Sequence, residues 1–334
     1  MRAFGGGRMP KYELDALVDE ALRDTIERFE ATGSPIVTDG EQSKPSFATY
    51  PIAGLAGLAP GGVTIAFADG HTRQLPKLAG GPFRYATYAD TYVKAAQKYA
   101  RVPVKQAVIS ASALSLLYPH EGVPRYSREA FIEDLLHEHE CDIRRCLDAG
   151  ACKVQVDFTE GRLAVKLDPT NSLLRSFIDL NNRVLERFSL EERRRIGVHT
   201  CPGGDHDSTH SADVDYAALL PQLFDLKAGS FCIQLASERD RARVLKIIAR
   251  ESRSDQMIFV GVTDPIDPRA ETPHEVCDRV CEAAGYIPLP RLGTTDDCGF
   301  SPFGDDTSTS RGTAFAKIRA RVAGTALAAS ALRI

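Results

Sequence analysis

The sequence predicts an α/β chain folded as a (β/α)8 barrel with a hairpin inserted after the second strand. Three observations carry that reading. Apolar runs and helix-period stretches alternate along the chain. Each predicted strand is a near-continuous apolar run, the mark of a parallel strand covered by helices on its outer face. No Gly-x-Gly-x-x-Gly follows a strand, which argues against a dinucleotide-binding sheet. Seven strands are legible, plus a degenerate one near Arg2 to Gly5, and that number favours a barrel over a doubly wound sheet.

The elements follow in order. Residues 1–10 are Gly-rich and read as the decayed first strand or an N-terminal extension. Leu14, Leu17, Val18, Ala21, Leu22, Ile26 and Phe29 recur at helical spacing over Tyr12 to Thr32, and Gly33 stops the helix. Ser34 to Thr38 is the second strand, running into Asp39-Gly40-Glu41-Gln42. Val63 to Phe67 and His71 to Leu75 flank the turn Ala68-Asp69-Gly70 and form the inserted hairpin. Helices over 85–100, 126–149, 171–188, 216–226, 239–252, 274–285 and 313–332 then alternate with strands. Those strands are 104–110, 152–158, 196–199, 231–236, 257–262 and 292–295. No linker divides the chain, so 1–334 reads as a single domain.

Composition narrows the function. A formal net charge of -4 offers no footprint for nucleic acid. No run of about 18 apolar residues and no signal-peptide core is present, so no membrane role is expected and the cytoplasm is the default location. Eight cysteines without scaffold-like spacing suggest free thiols and metal ligands rather than disulfides.

The polar residues gather at strand ends. Asp39 and Glu41 follow the second strand, Lys105 and Gln106 begin the third, and Asp157 ends the fourth. His199 and Cys201 end the fifth, Gln234 lies in the sixth, and Thr263 and Asp264 follow the seventh. Asp296, Asp297 and Cys298 follow the eighth. In a barrel the C-terminal strand ends share one mouth, where barrel enzymes keep their chemistry. On an extended strand residues i and i+2 point the same way, so His199 and Cys201 converge just past the strand end. Cys298 adds a second thiol at the mouth. A His/Cys/Cys set with an open fourth position is the pattern of catalytic zinc, and it suits activation of an incoming thiol.

Other polar groups read as ordinary structure. Asp205 to His210, with two histidines, is expected as a polar loop over the mouth. Cys277 and Cys281, at i and i+4 on a helix, are expected as small buried hydrophobes. Cys141, Cys146, Cys152 and Cys232 read as packing residues, and His137 and His139, among acids on a long helix, as surface residues.

Four segments resemble the C-terminal catalytic half of cobalamin-independent methionine synthase and its single-domain relatives. They are Val37-Thr38-Asp39-Gly40-Glu41-Gln42, Val154-Gln155-Val156-Asp157, Gly197-Val198-His199-Thr200-Cys201 and Asp296-Asp297-Cys298-Gly299-Phe300. The similarity runs from about Ser34 to the C-terminus. It implies a barrel binding one Zn2+ through His199, Cys201 and Cys298, which presents a thiolate to an alkyl donor. Glu41 and Asp157 fall where the family holds the amino group of homocysteine, and Asp39 and Lys105 are further candidates for substrate contact. Two departures stand out. The family's fourth ligand, a glutamate, is matched by Gln234, and its Gly-Ser-x-Pro segment is matched only by Phe4-Gly5-Gly6-Gly7-Arg8-Met9-Pro10. With no Trp there is no indole to stack on a pterin ring. The expected partners are therefore a small thiol acceptor and an alkyl donor, with homo-oligomerisation left open. Two alternatives stand beside methyl transfer to homocysteine. One is transfer to another thiol, as in epoxide-opening coenzyme M transferases, with Lys44 and Lys105 meeting a sulfonate. The other is a non-catalytic, ligand-binding barrel.

Overall fold

The computed structural model describes residues 9–334. The degenerate first strand expected near Arg2 to Gly5 lies outside them. The chain opens on α1 (Lys11–Ala31) and then makes a pair of short antiparallel ribbons. These are β1 (Leu58–Ala59) with β4 (Lys77–Leu78), and β2 (Thr64–Ala66) with β3 (Thr72–Gln74). The β2–β3 hairpin is the predicted insertion, and Gly70 at its tip has φ 92°, a left-handed conformation that suits glycine.

The alternating body follows: α2 (Asp90–Gln97), β5 (Lys105–Ile109), α3 (Ala111–Ser115), α4 (Arg128–Asp148), β6 (Lys153–Asp157), α5 (Glu160–Leu167), α6 (Ser172–Leu185) and α7 (Leu190–Arg194). Then come β7 (Ile196–Thr200), the two-residue strands β8 (Gly204–Asp205) and β9 (Ser208–Thr209), α8 (Tyr216–Leu223), β10 (Ser230–Ile233), α9 (Arg241–Glu251), β11 (Met257–Gly261), α10 (Pro273–Ala284), β12 (Leu292–Thr295) and α11 (Arg311–Leu332). Six strands form one parallel sheet in the order β5-β6-β7-β10-β11-β12, chain order with a helix at each crossover. That is the strand order of a (β/α) barrel. Alternate residues such as Val154 and Val156 bury against the outer helices, together with Phe131, Leu135 and Ile178.

The second predicted strand is reduced to a single parallel bridge, Val37 to Val104. Val37 donates to Pro103 and its carbonyl accepts from Lys105 at 2.8 Å. Pro35 has no N–H to give, and Ser34 Oγ takes the Ile36 carbonyl at 2.7 Å, so pairing stops there. The helix expected over 85–100 begins only at Asp90. The amides before it are taken by carboxylates of α4, Tyr85 by Glu138 and Ala89 by Asp142. The same contacts overturn the surface reading of His139, which is buried between Glu138 and Asp142 on the inner face of α4. His137 is exposed as expected. The short helices α3, α5 and α7 have no counterpart in the sequence reading. Cys277 and Cys281 are half-buried rather than enclosed.

Candidate active site

Parallel pairing fixes the histidine first. β7 lies between β6 and β10, with Asp157 opposite His199 on one side and Cys232 on the other. All five β7 residues are buried, His199 among them. Cys201 lies one residue beyond β7 and Cys298 three beyond β12. The ligand atoms of His199, Cys201 and Cys298 lie within 4.8 Å of one another, and the two sulfurs are 3.1 Å apart. The Gly203 amide donates to Cys201 Sγ at 3.4 Å. Two sulfurs this close share a proton. Their hydrogen bond holds the Cys298 thiol well below its ordinary range and, with burial, pushes Cys201 well above. Burial acts to lower the His199 pKa, but the hydrogen bond to Cys298 and the nearby Asp157 charge raise it overall. An imidazole and two thiols at this separation fit a soft or borderline divalent metal such as zinc.

Asp297 sets the Cys298 end, and the sequence reading gave it no role. Its Oδ1 accepts from the amides of Leu235 and Ala236, and Oδ2 from the Ser237 amide and hydroxyl, each at 2.8 Å. The loop after β10 is thus tied to the loop after β12. Only glycine fits at 261, since a Cβ there would lie 1.7 Å from Asp297 Oδ1. Burial pushes the Asp297 carboxyl up to about 7 despite those donors. Gln234 lies one residue past β10 and is buried. Its Oε1 accepts from Arg162 at 2.9 Å and its Nε2 donates to Ser237 Oγ. Arg162 is itself enclosed, bonded to Glu238 and to the Ala212 and Val214 carbonyls, with its guanidinium over the Tyr216 ring.

The opposite wall is acidic. Asp39, Glu41 and Asp157 gather around the Lys44 ammonium, which donates to Glu41 Oε1 and to the Ala107 carbonyl, both at 2.8 Å. The same ammonium stands 4.8 Å from the Tyr50 ring centre and 5.6 Å from that of Tyr92. Burial raises the carboxyl pKa of Asp39 and of Asp157. Asp157 Oδ1 accepts from Gln155 Nε2, and Gln155 Oε1 accepts from Lys105 Nζ. Lys105 is the first residue of β5, at the strand end away from the mouth, so it reaches the site only through Gln155. Asp39 is 2% exposed, and its Oδ2 takes no hydrogen bond from any described residue.

The polar loop Asp205 to His210 is held down by the inserted hairpin. Arg73 chelates both Asp205 and Asp305, His71 bonds Asp205 at 3.0 Å, and Ala68 donates to the Thr209 carbonyl. Asp205 and His210 of this polar loop are buried. An open cleft lies beside the thiols, lined by Pro202, Gly204, Gln234, Asp264, Cys298 and Asp306 among others. Among the described residues, no helix is long and apolar enough to cross a membrane.

Comparison with known proteins agrees with this geometry. The methionine synthase of Thermococcus kodakarensis is 21% identical over 295 residues, covering 88% of this chain and 79% of that protein. A B12-independent methionine synthase from Shewanella sp. W3-18-1, solved in complex with selenomethionine, superposes with a TM-score of 0.78 at 20% identity. That superposition covers 98% of this chain and 92% of the other. The putative vitamin-B12-independent methionine synthase from Listeria monocytogenes gives a TM-score of 0.68, also at 20% identity with 98% and 92% coverage. The family profile described as "Cobalamin-independent synthase, Catalytic domain" matches residues 2–316, and the chain belongs to that family of transferases.

Proposed function

We propose that this chain transfers a methyl group to the thiol of homocysteine, giving methionine, with zinc held by His199, Cys201 and Cys298. The observation that carries the proposal is the juxtaposition of that cluster with the Asp39, Glu41 and Asp157 carboxylates, Asp157 being the register partner of His199. The acceptor would then meet a sulfur-seeking wall on one side and an ammonium-seeking wall on the other. The relatives named above are methionine synthases, and selenomethionine, with selenium in place of sulfur, is an analogue of the product.

In this reading each wall has a task. Glu41 and Asp157 receive the acceptor's ammonium and fix the direction of its thiol. Bound zinc would supply a Lewis acid that lowers the thiol pKa. Asp157, the register partner of His199, would be the base that takes the proton the thiol gives up. The acceptor sulfur then attacks the methyl carbon, a C–S bond forms, and the donor leaves with the electron pair of the broken bond. The cleft beside Cys298 is the approach for the donor. The hairpin clamp through Arg73 holds the Asp205 loop at the edge of that cleft.

Transfer to a sulfonated thiol is less well supported, because Lys44 is spent on Glu41 and its side chain is 1% exposed. The deciding experiment combines metal analysis with an acceptor panel. Purified protein is expected to hold about one zinc per chain and to prefer homocysteine over a sulfonated thiol. Metal-free protein that still transfers methyl groups would refute the proposal.

A further inference from the structure

The loop that carries Glu41 is built awkwardly. Gly40 and Glu41 both have positive φ, 58° and 54°, and Glu41 pays a steric penalty there that Gly40 does not. Gly40 has no substitute, since a Cβ would lie 2.6 Å from Thr25 Cγ2. Sheet pairing does not steady this loop, because the bridge at Val37 ends two residues before Asp39. What spans the loop is Lys44. Its amide donates to the Glu41 carbonyl, and its ammonium grips the Glu41 carboxylate while anchored to the Ala107 carbonyl of β5. With 1% of its side chain exposed, Lys44 cannot itself touch a substrate.

Charge counting gives this grip a consequence. Asp39, Glu41 and Asp157 bring three carboxylates to the acceptor wall, and Lys44 is the ammonium set among them. When all are ionised the wall keeps a surplus of negative charge, and Asp39 Oδ2 is a buried oxygen with no donor among the described residues. Without Lys44 the Glu41 carboxylate would lose both its ion-pair partner and its tie to the Ala107 carbonyl of β5.

We propose that Lys44 is a positioning residue that acts through Glu41 and makes the acceptor wall selective for a thiol bearing an ammonium group. This rests on the function proposed above. Its test is a double-mutant cycle on the zinc-loaded protein, using Lys44→Met, Glu41→Gln and both together. Homocysteine is compared with 4-mercaptobutanoate, the same molecule without its amine. Each single variant is expected to raise the KM for homocysteine about tenfold, with kcat and zinc content little changed. The KM for 4-mercaptobutanoate should hardly move. The double variant should lose clearly less than the two single losses combined, because Lys44 and Glu41 act as one ion pair. Additive losses, or equal losses on both thiols, would overturn the proposal. If Lys44→Met does not fold, Lys44→Arg keeps the charge but changes the donor geometry. A selective rise in the homocysteine KM is expected there as well, and any other pattern overturns it. A wild-type protein with no preference for homocysteine over 4-mercaptobutanoate would instead retract the function itself, whatever the Lys44 variants do.

Discussion

The two walls of the mouth are built by different means. On the thiol wall, His199 is placed by a fully buried strand paired on both sides, and Cys298 by a strand end that Asp297 ties to its neighbour. On the carboxylate wall, Asp39 and Glu41 hang from a loop with one bridge to the sheet, and the buried Lys44 ties Glu41 to β5. Sheet pairing places His199 and Asp157, whereas Glu41 depends on the side chain of Lys44. The thiol wall should therefore fail only when its ligands or its strand ends are removed. The carboxylate wall should change its selectivity before the fold yields.

The largest expected effect is on the ligands themselves. Cys201→Ser/Cys298→Ser should reduce zinc content to near zero by elemental analysis, because a hydroxyl is a far poorer ligand than a thiolate. Cys277→Ser/Cys281→Ser, on the half-buried face of α10, should leave it unchanged. Full zinc occupancy in the first variant would remove the thiol wall from the comparison altogether.

Next in size is the support behind that wall. His139 is buried and, with Val156 and Val198, lines a small cavity at the back of β6 and β7. Burial lowers its pKa from 6.5 to about 4. Because the folded value is the lower one, the unfolded chain takes the proton first as pH falls. Stability is whole above pH 6.5 and is lost between 6.5 and 4, by about 3 kcal/mol in all. Denaturant titrations should show this slope in the wild type and a shallower one in His139→Leu. Parallel slopes in the two proteins would mean that the imidazole does not titrate as its burial requires.

The carboxylate wall should give a smaller, selective response. Asp157→Asn, like Glu41→Gln, should raise the KM for homocysteine about tenfold, equivalent to about 1.4 kcal/mol, and spare a thiol without an amine. Equal losses on both acceptors would show that the carboxylates serve the fold instead. Smallest is the position beside the thiols, where Gln234→Glu would face Arg162 in place of the amide. Arg162 would then hold the new carboxylate, and zinc affinity should change by less than about threefold. A large gain in affinity would show that residue 234 reaches the metal and that Arg162 yields.

Much of the thiol wall was legible in the sequence, because its logic is local. The period of two brings His199 and Cys201 together, and an Asp-Cys pair after a short strand places Cys298 at the same mouth. The carboxylate wall was half legible. Asp39, Glu41 and Asp157 stand at strand ends, but Lys44 takes its meaning from Ala107, 63 residues away. Arg162 and Gln234 meet across 72 residues, and the amides capped by Asp297 are about as distant. The inner face of α4 misled for a related reason. Glu138 and Asp142 look like solvent-facing charges, yet they satisfy the amides of the segment before α2, and His139 is buried with them. No periodicity reports a partner that lies so far along the chain.

The central claim is that an acceptor thiol comes to the metal held by His199, Cys201 and Cys298, and zinc-edge X-ray absorption tests it most directly. The zinc-loaded protein should show two sulfur scatterers from its own cysteines, and a third should join them when homocysteine is added. Zinc bound with an unchanged sulfur count at saturating homocysteine would contradict the account.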